Sequence, residues 1–436
     1  MGIFRSYDVR GVYGKDIDED IMRRIGAAFS HFSTKTVAVA CDMRNSSDSL
    51  KRAFIDGCSV DVIDCGRLPL GAGLLHVLGK HDYAYITGSH LPGEWNGVKF
   101  FHKSGVGFHE PENKLVEKKF QSIKVKSAKK NIERLDESSL LKDYVKFAAG
   151  KVKAKKPLNV VLDCGNGMAS AVAKELFAKS GFNASAVFDM LDGTFPNRNS
   201  DPNDDPLIEL KQKVKSADIG IAYDGDADRM VIIDETGRKL TPEQVTYLVM
   251  LGVKQSGPIV ANVECTRVID EIAKKFNKSI VRVPVGHTFL MEGVVRHKAC
   301  FGVESAAHYA LPYMAPFDDS MLVSIFAAAV LSQQNKPLSK IADEVKSYPF
   351  DRVNFECDDK KKFIVVENLR RKFKKEYKNV TTMDGVRVDF PDGWVLIRVS
   401  NTSPFVRLTV EAEDNKTLKR LTGKFSLVLK EEIAKK

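Results

Sequence analysis

Three aspartates fall at alternate positions in the motif DGDADR, as Asp224, Asp226 and Asp228. Carboxylates this close repel one another unless a cation neutralises them, and a set of hard oxygen ligands selects Mg²⁺ or a similar ion. The flanking runs, IGIAY and MVIID, are apolar and strand-like, so the motif is not the helix-loop-helix of an EF-hand. Arg229 also stands at the sixth loop position, where that motif needs glycine. A metal here would polarise a phosphoryl oxygen and stabilise the charge that spreads over it during transfer. A solvated acidic turn is the plain alternative, and the adjoining apolar strands speak against it.

A nucleophile that could use such a metal lies upstream, in YAYITGSHLPGEWNGVKF. Tyr83 to Ile86 have strand character and open into a loop that presents Ser89 between Gly88 and His90. Asn96-Gly97 is expected to turn the chain back through Val98, carrying Lys99 close to Ser89. In that setting Ser89 can carry a phosphoryl group, and His90 and Lys99 can take or return a proton if their pKa values are shifted. Taken alone, a turn serine usually bonds its own backbone and a lysine usually sits at the surface.

Two further stretches could grip a substrate. RVSNTSPFVR offers Arg398 and then Ser400, Asn401, Thr402 and Ser403 before Pro404. Hydroxyls, backbone N–H groups and an arginine fork suit a phosphate dianion, and no carboxylate lies between Arg398 and Arg407. A polar hairpin turn is the alternative. GVESAAH places Glu304 and His308 on one loop, a pair suited to vicinal sugar hydroxyls, though two polar loop residues without a role would look the same. His287, in PVGHT, is another candidate for a phosphate or sugar contact. DCGNGMAS lacks the third glycine of a dinucleotide fingerprint, so no such cofactor is expected.

The elements that must position these loops repeat one scheme three times. TVAVACDMRNSS, LNVVLDCGNGMAS and PIVANVECTRVI each run from an apolar strand into a loop and helix. Each is followed by a second apolar run ending in a polar loop: YAYITGSH, IGIAYDGDADR and ACFGVESAAH. This alternation implies α/β domains, in which ligands bind beyond the carboxyl ends of the strands. From about Tyr348 the pattern changes to strand, helix, several strands and a terminal helix, as expected of a small α+β domain. A chain of 436 residues is long enough for three or four domains. The expected seams divide it into 1–150, 151–256, 257–348 and 349–436.

The net charge of +10 comes largely from lysine-rich stretches without interleaved aromatics, and no nucleic-acid-binding motif is present, so nucleic acid is not an expected partner. A basic interior that attracts small phosphate esters is compatible with that surface. Seven cysteines, odd in number and without a CxxC pair, point to reduced thiols. No apolar run approaches the ~18 residues that cross a bilayer, and the N-terminus does not resemble a secretory signal. A cytoplasmic protein without membrane contact is the expectation, as a monomer or small homo-oligomer.

TGSH with a following proline and NGxK, the DGDADR loop, a GxE…H loop and a final RxSNTxP loop, in that order, resemble the α-D-phosphohexomutases, with the bacterial and archaeal phosphomannomutase/phosphoglucomutases as the branch most like this chain. FRSYDVRG at the start and FPNRNSDP in the middle extend the resemblance over essentially the whole chain. It implies three related mixed-sheet α/β domains and a fourth of TATA-binding-protein-like topology around a central cleft. The four domains would respectively carry the phosphoserine, bind metal, bind sugar and clamp phosphate. It further implies a phosphoserine at Ser89, with Lys99, His90 and Arg10 in catalysis and Mg²⁺ held by Ser89, Asp224, Asp226 and Asp228. Tyr7, Arg229, His287, Glu304, His308, Arg398, Ser400, Asn401 and Thr402 would contact substrate. The implied reaction interconverts hexose 6-phosphate and hexose 1-phosphate, of mannose or glucose, with a hexose 1,6-bisphosphate as activator.

Three positions depart from the family pattern. Leu91 stands where TGSHNP members carry asparagine, and Ala306 stands where the sugar loop carries serine, unless Ser305 substitutes. Glu264 stands where many relatives have a lysine before Cys-Thr. Phosphoglucosamine mutase and a catalytically silent sugar-phosphate-binding protein are the alternatives, although relatives of the former type usually open the serine loop with SASHNP. A metal-dependent phosphatase would use similar groups.

Overall fold

Short runs of two to eight residues, many of them apolar, form the strands of four sheets in a computed structural model that describes residues 2–33, 35–125, 129–358, 360–400 and 405–435. The first sheet contains β1 (Asp8–Val12), β2 (Thr36–Cys41), β3 (Asp61–Arg67), β4 (Asp82–Ile86), β5 (Trp95–Phe101) and β6 (Ile132–Arg134), in the order β1-β5-β4-β2-β3-β6. The second contains β7 (Asn159–Asp163), β8 (Asn183–Val187), β9 (Ile219–Tyr223) and β10 (Met230–Asp234), ordered β10-β9-β7-β8. The third contains β11 (Ile259–Asn262), β12 (Ile280–Val283), β13 (Phe301–Val303) and β14 (Tyr309–Ala310), ordered β12-β11-β13-β14.

One four-strand unit recurs in these sheets: β3-β2-β4-β5, β8-β7-β9-β10 and β12-β11-β13-β14. In each, the first three strands are parallel and the last is antiparallel. The loop joining the third strand to the fourth is therefore the same loop three times over. It carries Ser89 in the first unit, Asp224 to Arg229 in the second and Glu304 to His308 in the third. The threefold scheme expected from the alternation of apolar runs and polar loops is thus present as a threefold sheet topology.

The three units share one apolar core. Tyr83, Tyr85 and Phe101 of the first pack in one cluster with Phe177 and Tyr223 of the second and Phe301, Tyr309 and Met321 of the third. The helix Ser320–Leu331, apolar on nearly every side, runs through this seam as a buried helix should. Its N-cap, Asp319, accepts from the backbone N–H groups of Met321 and Leu322. Tyr144, from the first unit, donates its hydroxyl to the same carboxylate at 2.8 Å, which ties the units together.

The fourth sheet is antiparallel throughout: β15 (Phe350–Glu356), β16 (Val380–Thr381), β17 (Val386–Phe390), β18 (Gly393–Val399) and β19 (Phe405–Ala412), ordered β15-β19-β18-β17-β16. Alternation divides its faces. Val395, Ile397, Val406, Leu408 and Val410 pack beneath the helices Lys362–Glu376 and Asn415–Ala434. The opposite face bears Arg352, Asn354, Arg398, Arg407 and Thr409, with Arg398 opposite Arg407, Arg407 opposite Asn354 and Thr409 opposite Arg352.

One local expectation is corrected. Asn96-Gly97 is not a turn but lies inside β5, which begins at Trp95. Gly97 pairs with Arg10 of β1, and a Cβ on it would overlap the carbonyl oxygen of Val9. Asn96 spends its amide on the hydroxyls of Ser46 and Ser47. Close strand pairing, not turn geometry, sets these two residue types. The seven cysteines are all free and buried. Among the described residues no helix is long and apolar enough to cross a membrane.

Candidate active site

Ser89 is buried and sits in the left-handed backbone region, at φ 50°. Non-glycine residues rarely adopt that conformation unless their surroundings impose it. Here the imposing group is Arg44, a buried arginine that sequence patterning did not single out. Its guanidinium donates to the carbonyl oxygens of Ser89 (2.7 Å), Leu91 (2.6 Å) and Trp95 (2.9 Å), and also to that of Pro92. Asp42 balances its charge at 3.1 Å. Ser200, from the NRNSDP stretch of the second unit, donates to the carbonyls of His90 (2.6 Å) and Leu91 (2.9 Å). Position 91 therefore supports the loop through its backbone, whatever its side chain.

The aspartate loop comes within contact of this turn. A Cβ on Gly225 would sit 2.5 Å from the carbonyl oxygen of Ser89, so only glycine allows the approach. Ala227 is also left-handed, at φ 64°, and the bend brings one oxygen from each of Asp224, Asp226 and Asp228 within 4.8 Å of the others. Ser89 Oγ lies 3.4 Å from Asp224 Oδ2 and 3.3 Å from His90 Nδ1. Lys99, buried on β5, donates to Asp226 Oδ2 at 2.8 Å and to Asp228 Oδ2 at 2.6 Å.

These charges shape one another. Burial pushes the Asp224 carboxyl well up, and the like charges of Asp228 and Asp226 add to it. Burial opposes ionisation of Asp228 as well, but the Lys99 ammonium and the Arg229 guanidinium hold it well below the usual carboxylate range. Burial likewise opposes charge on Lys99, yet Asp226 and Asp228 more than offset this and keep the ammonium protonated. His90 is held neutral by burial and by the cations Arg229, Arg10 and Lys99.

The three aspartates fit a hard divalent cation. Their donors are all oxygen, and Oδ1 of both Asp226 and Asp228 has no hydrogen-bond partner among the described residues although both are buried. Asp228, His308 and Asp318 form an equally tight group. There, however, Arg229 Nε donates to His308 Nε2 at 3.0 Å. The ring proton must then sit on Nδ1, 3.4 Å from Asp318, and the imidazole has no lone pair left for a metal.

The third loop repeats the bend, with Ala307 at φ 65°. Arg229 pairs with His308 as an isolated bridge, which joins the second and third loops. Glu304 accepts from the N–H of Gly286 at 2.6 Å and from Asn262 Nδ2 at 3.0 Å. Tyr7 reaches from the first unit to donate to the carbonyl of Val285 at 2.7 Å. Arg10 is paired with Asp8 at 2.5 Å.

Part of this assembly borders one cavity of about 220 Å³. Tyr7, Arg10, His90, Arg229, His287, Glu304, His308, Arg398 and Ser400 line it, with Ser89, Lys99 and the three aspartates linked to it through His90 and Arg229. Asn401 and Thr402 lie outside the described residues. Arg407 also lines the cavity, across the strand pair from Arg398, and adds a second guanidinium that the motif alone did not single out. The absence of a carboxylate between residues 398 and 407 does not leave the clamp free of one, because Glu264 enters from the third unit, 3.4 Å from Arg398.

A threefold repeated α/β unit whose loops bring a serine, three aspartates and a glutamate-histidine pair to one cavity, closed by an arginine-bearing fourth sheet, is the architecture of the α-D-phosphohexomutases. Four family models match in order: phosphoglucomutase/phosphomannomutase alpha/beta/alpha domain I over residues 1–127, domain II over 142–237, domain III over 241–348 and the C-terminal domain over 353–427. The chain belongs to the phosphoglucomutase/phosphomannomutase family. It is 31% identical to the probable phosphoglucosamine mutase of Methanopyrus kandleri, over 97% of this chain and 96% of that one. It is 30% identical to the phosphomannomutase/phosphoglucomutase of Pseudomonas aeruginosa, over 98% and 95%. A solved phosphoglucomutase/phosphomannomutase family protein from Burkholderia thailandensis superposes with a TM-score of 0.89 at 28% identity, covering 99% of this chain and 97% of its own.

Proposed function

We propose that the protein is a Mg²⁺-dependent phosphohexomutase that interconverts hexose 6-phosphate and hexose 1-phosphate, of mannose or glucose, through a phosphoserine at Ser89. The observation that carries this reading is the strained, buried Ser89 hydroxyl 3.4 Å from an aspartate of the three-carboxylate loop, beside His90, which lines one cavity with the arginine pair Arg398 and Arg407. The units 1–150, 151–256, 257–348 and 349–436 would supply, in turn, nucleophile, metal ligands, sugar contacts and phosphate clamp.

In the first half-reaction the phosphoryl group leaves Oγ of phosphorylated Ser89 for the free hydroxyl of a bound hexose phosphate, giving a hexose 1,6-bisphosphate. The Ser89 oxygen gains a proton as the sugar hydroxyl loses one. The bisphosphate then turns over in the cavity and returns its other phosphoryl group to Ser89. Ser89, Asp224, Asp226 and Asp228 would hold the metal, which neutralises charge on the phosphoryl group in transit. His90, held neutral, lies 3.3 Å from the hydroxyl as proton acceptor, and Lys99, held protonated against Asp226 and Asp228, would be the donor, with Arg10 at the cavity edge. Arg398, Arg407 and Ser400 grip the phosphate that is not reacting. Glu304, His308 and His287 contact the sugar, and Tyr7 lines its entry.

The relation to a probable phosphoglucosamine mutase favours glucosamine phosphates as a second reading. Both are tested by incubating phosphorylated enzyme, Mg²⁺ and a catalytic amount of hexose 1,6-bisphosphate with glucose 1-phosphate, mannose 1-phosphate or glucosamine 1-phosphate. The proposal expects 6-phosphate product from the glucose or mannose ester. Product from glucosamine alone would move the assignment to the second reading. Release of inorganic phosphate without isomerisation, or no turnover of any ester, would overturn the mutase mechanism.

A further inference from the structure

Glu264 is a buried carboxylate in the middle of an arginine cluster. It stands just beyond β11 of the third unit, on the opposite side of the domain seam from the arginines. Arg398 lies 3.4 Å from its Oε2 and Arg352 lies 3.2 Å from its Oε1. Thr409 donates to Oε1 and Ser305 to Oε2, each at 3.2 Å. Arg407 is the third guanidinium near enough to influence it. Burial alone would push this carboxyl up, but the three arginines hold it below the usual glutamate range.

Three arginines surround Glu264, and Asp384 is a second carboxylate that acts on Arg398, so each carboxylate there subtracts from the positive charge offered to an anion. Arg398 Nε is buried and lacks a hydrogen-bond partner among the described residues, and Arg398 and Arg407 both line the central cavity. Arg352 does not line it and lies on the far side of Glu264. The contacts around Glu264 are all longer than the 2.7–2.9 Å of a tight charge-assisted bond. They suit a counter-charge more than a rigid strut. A mutase needs this restraint, because its bisphosphorylated sugar must let go of the clamp, turn over and bind again.

We infer that Glu264 is an internal counter-anion that weakens the phosphate clamp, lowering the positive charge its arginines offer so that the bisphosphate can be released and re-bound. The inference rests on the clamp role given to Arg398 under the proposed function. If it holds, Glu264→Gln, which keeps the side-chain shape, tightens binding of glucose 6-phosphate and of inorganic phosphate by roughly tenfold and lowers KM and kcat together. Arg352→Gln weakens binding by a comparable factor although Arg352 does not line the cavity. The double variant returns near wild-type affinity, since the net charge is restored.

The test is isothermal titration of both ligands into full-length protein and the Glu264→Gln, Arg352→Gln, double and Arg398→Gln variants, with steady-state kinetics on each. Weaker or unchanged binding by Glu264→Gln overturns the counter-anion role and makes the residue a structural tie. If that variant fails to fold, the Arg352→Gln arm decides, and unchanged affinity there overturns the inference. Unchanged binding by Arg398→Gln refutes the clamp itself, an outcome distinct from failure of the Glu264 arm.

Discussion

Two charge clusters of opposite sign lie at the candidate site, the basic one lining its cavity through Arg398 and Arg407 and the acidic one behind His90 and Arg229, and they are built in opposite ways. In the second unit three aspartates surround one lysine, and in the fourth sheet three arginines surround one glutamate. The acidic cluster is local in sequence and is forced together by a left-handed bend at Ala227, with Lys99 arriving from the neighbouring unit. The basic cluster is assembled from three strands of one sheet face, and its counter-charge crosses a domain seam. A bend can hold like charges at fixed spacing, as a metal site requires. A sheet face spreads them wider, and the seam lets a partner approach loosely, as a site that must release its ligand requires.

The most severe way to break the pairing of the two clusters is to remove what passes between them. Ser89→Ala is expected to lower mutase turnover by at least about 10³-fold while circular dichroism and sugar-phosphate binding stay intact. Loss of binding as well would mean that Ser89 shapes the cavity rather than carrying phosphate. Next comes the acidic cluster. Asp224→Asn should cost on the order of 10²–10³ in kcat and abolish the rise in melting temperature that Mg²⁺ gives the wild type. Without metal the same variant should melt no lower than wild type, because the substitution relieves like-charge repulsion while its amide oxygen can still accept from the Arg229 N–H. A destabilised metal-free variant would contradict the account of Asp224 as a buried carboxyl repelled by Asp228 and Asp226.

A milder effect is expected at the basic cluster. Arg398→Lys should raise KM for glucose 6-phosphate by about 10-fold with a smaller change in kcat, since a point charge cannot replace a planar fork. Full rescue by lysine would show that charge alone suffices there. The smallest effect is a control outside both clusters. Burial raises the Asp319 carboxyl to about 7. A carboxyl raised on folding contributes stability that is present below its unfolded value near about pH 4 and is lost as pH rises through about 7. Asp319→Asn retains a capping oxygen, so its melting temperature should fall less than that of wild type between pH 6 and pH 8. Parallel pH curves for the two proteins would sink this assignment.

The repeated topology was legible because each unit spells it out locally, as an apolar run followed by a polar loop. Ser89, the three aspartates, Glu304, His308 and Arg398 were legible for the same reason, each lying in a compact motif. Arg44 was not, because its partners are backbone carbonyls up to 51 positions away, and a carbonyl leaves no mark on residue type. The carboxylate at the clamp was equally hidden, since Glu264 and Arg398 are 134 positions apart. Asn96-Gly97 misled in the other direction: the pair is a strong local turn signal, but the pairing of β5 with β1 overrides it.

The left-handed bend at Ser89 also restricts which residue could serve as the proposed phosphate carrier. Threonine offers the same hydroxyl, but its branched Cβ makes this region of backbone a steric outlier, at a cost of about 1–2 kcal/mol. Glycine would accept the bend and offer no oxygen. Stereochemistry of the main chain, imposed by one buried arginine, therefore screens the candidates before reactivity does, and serine is the hydroxyl residue that passes both.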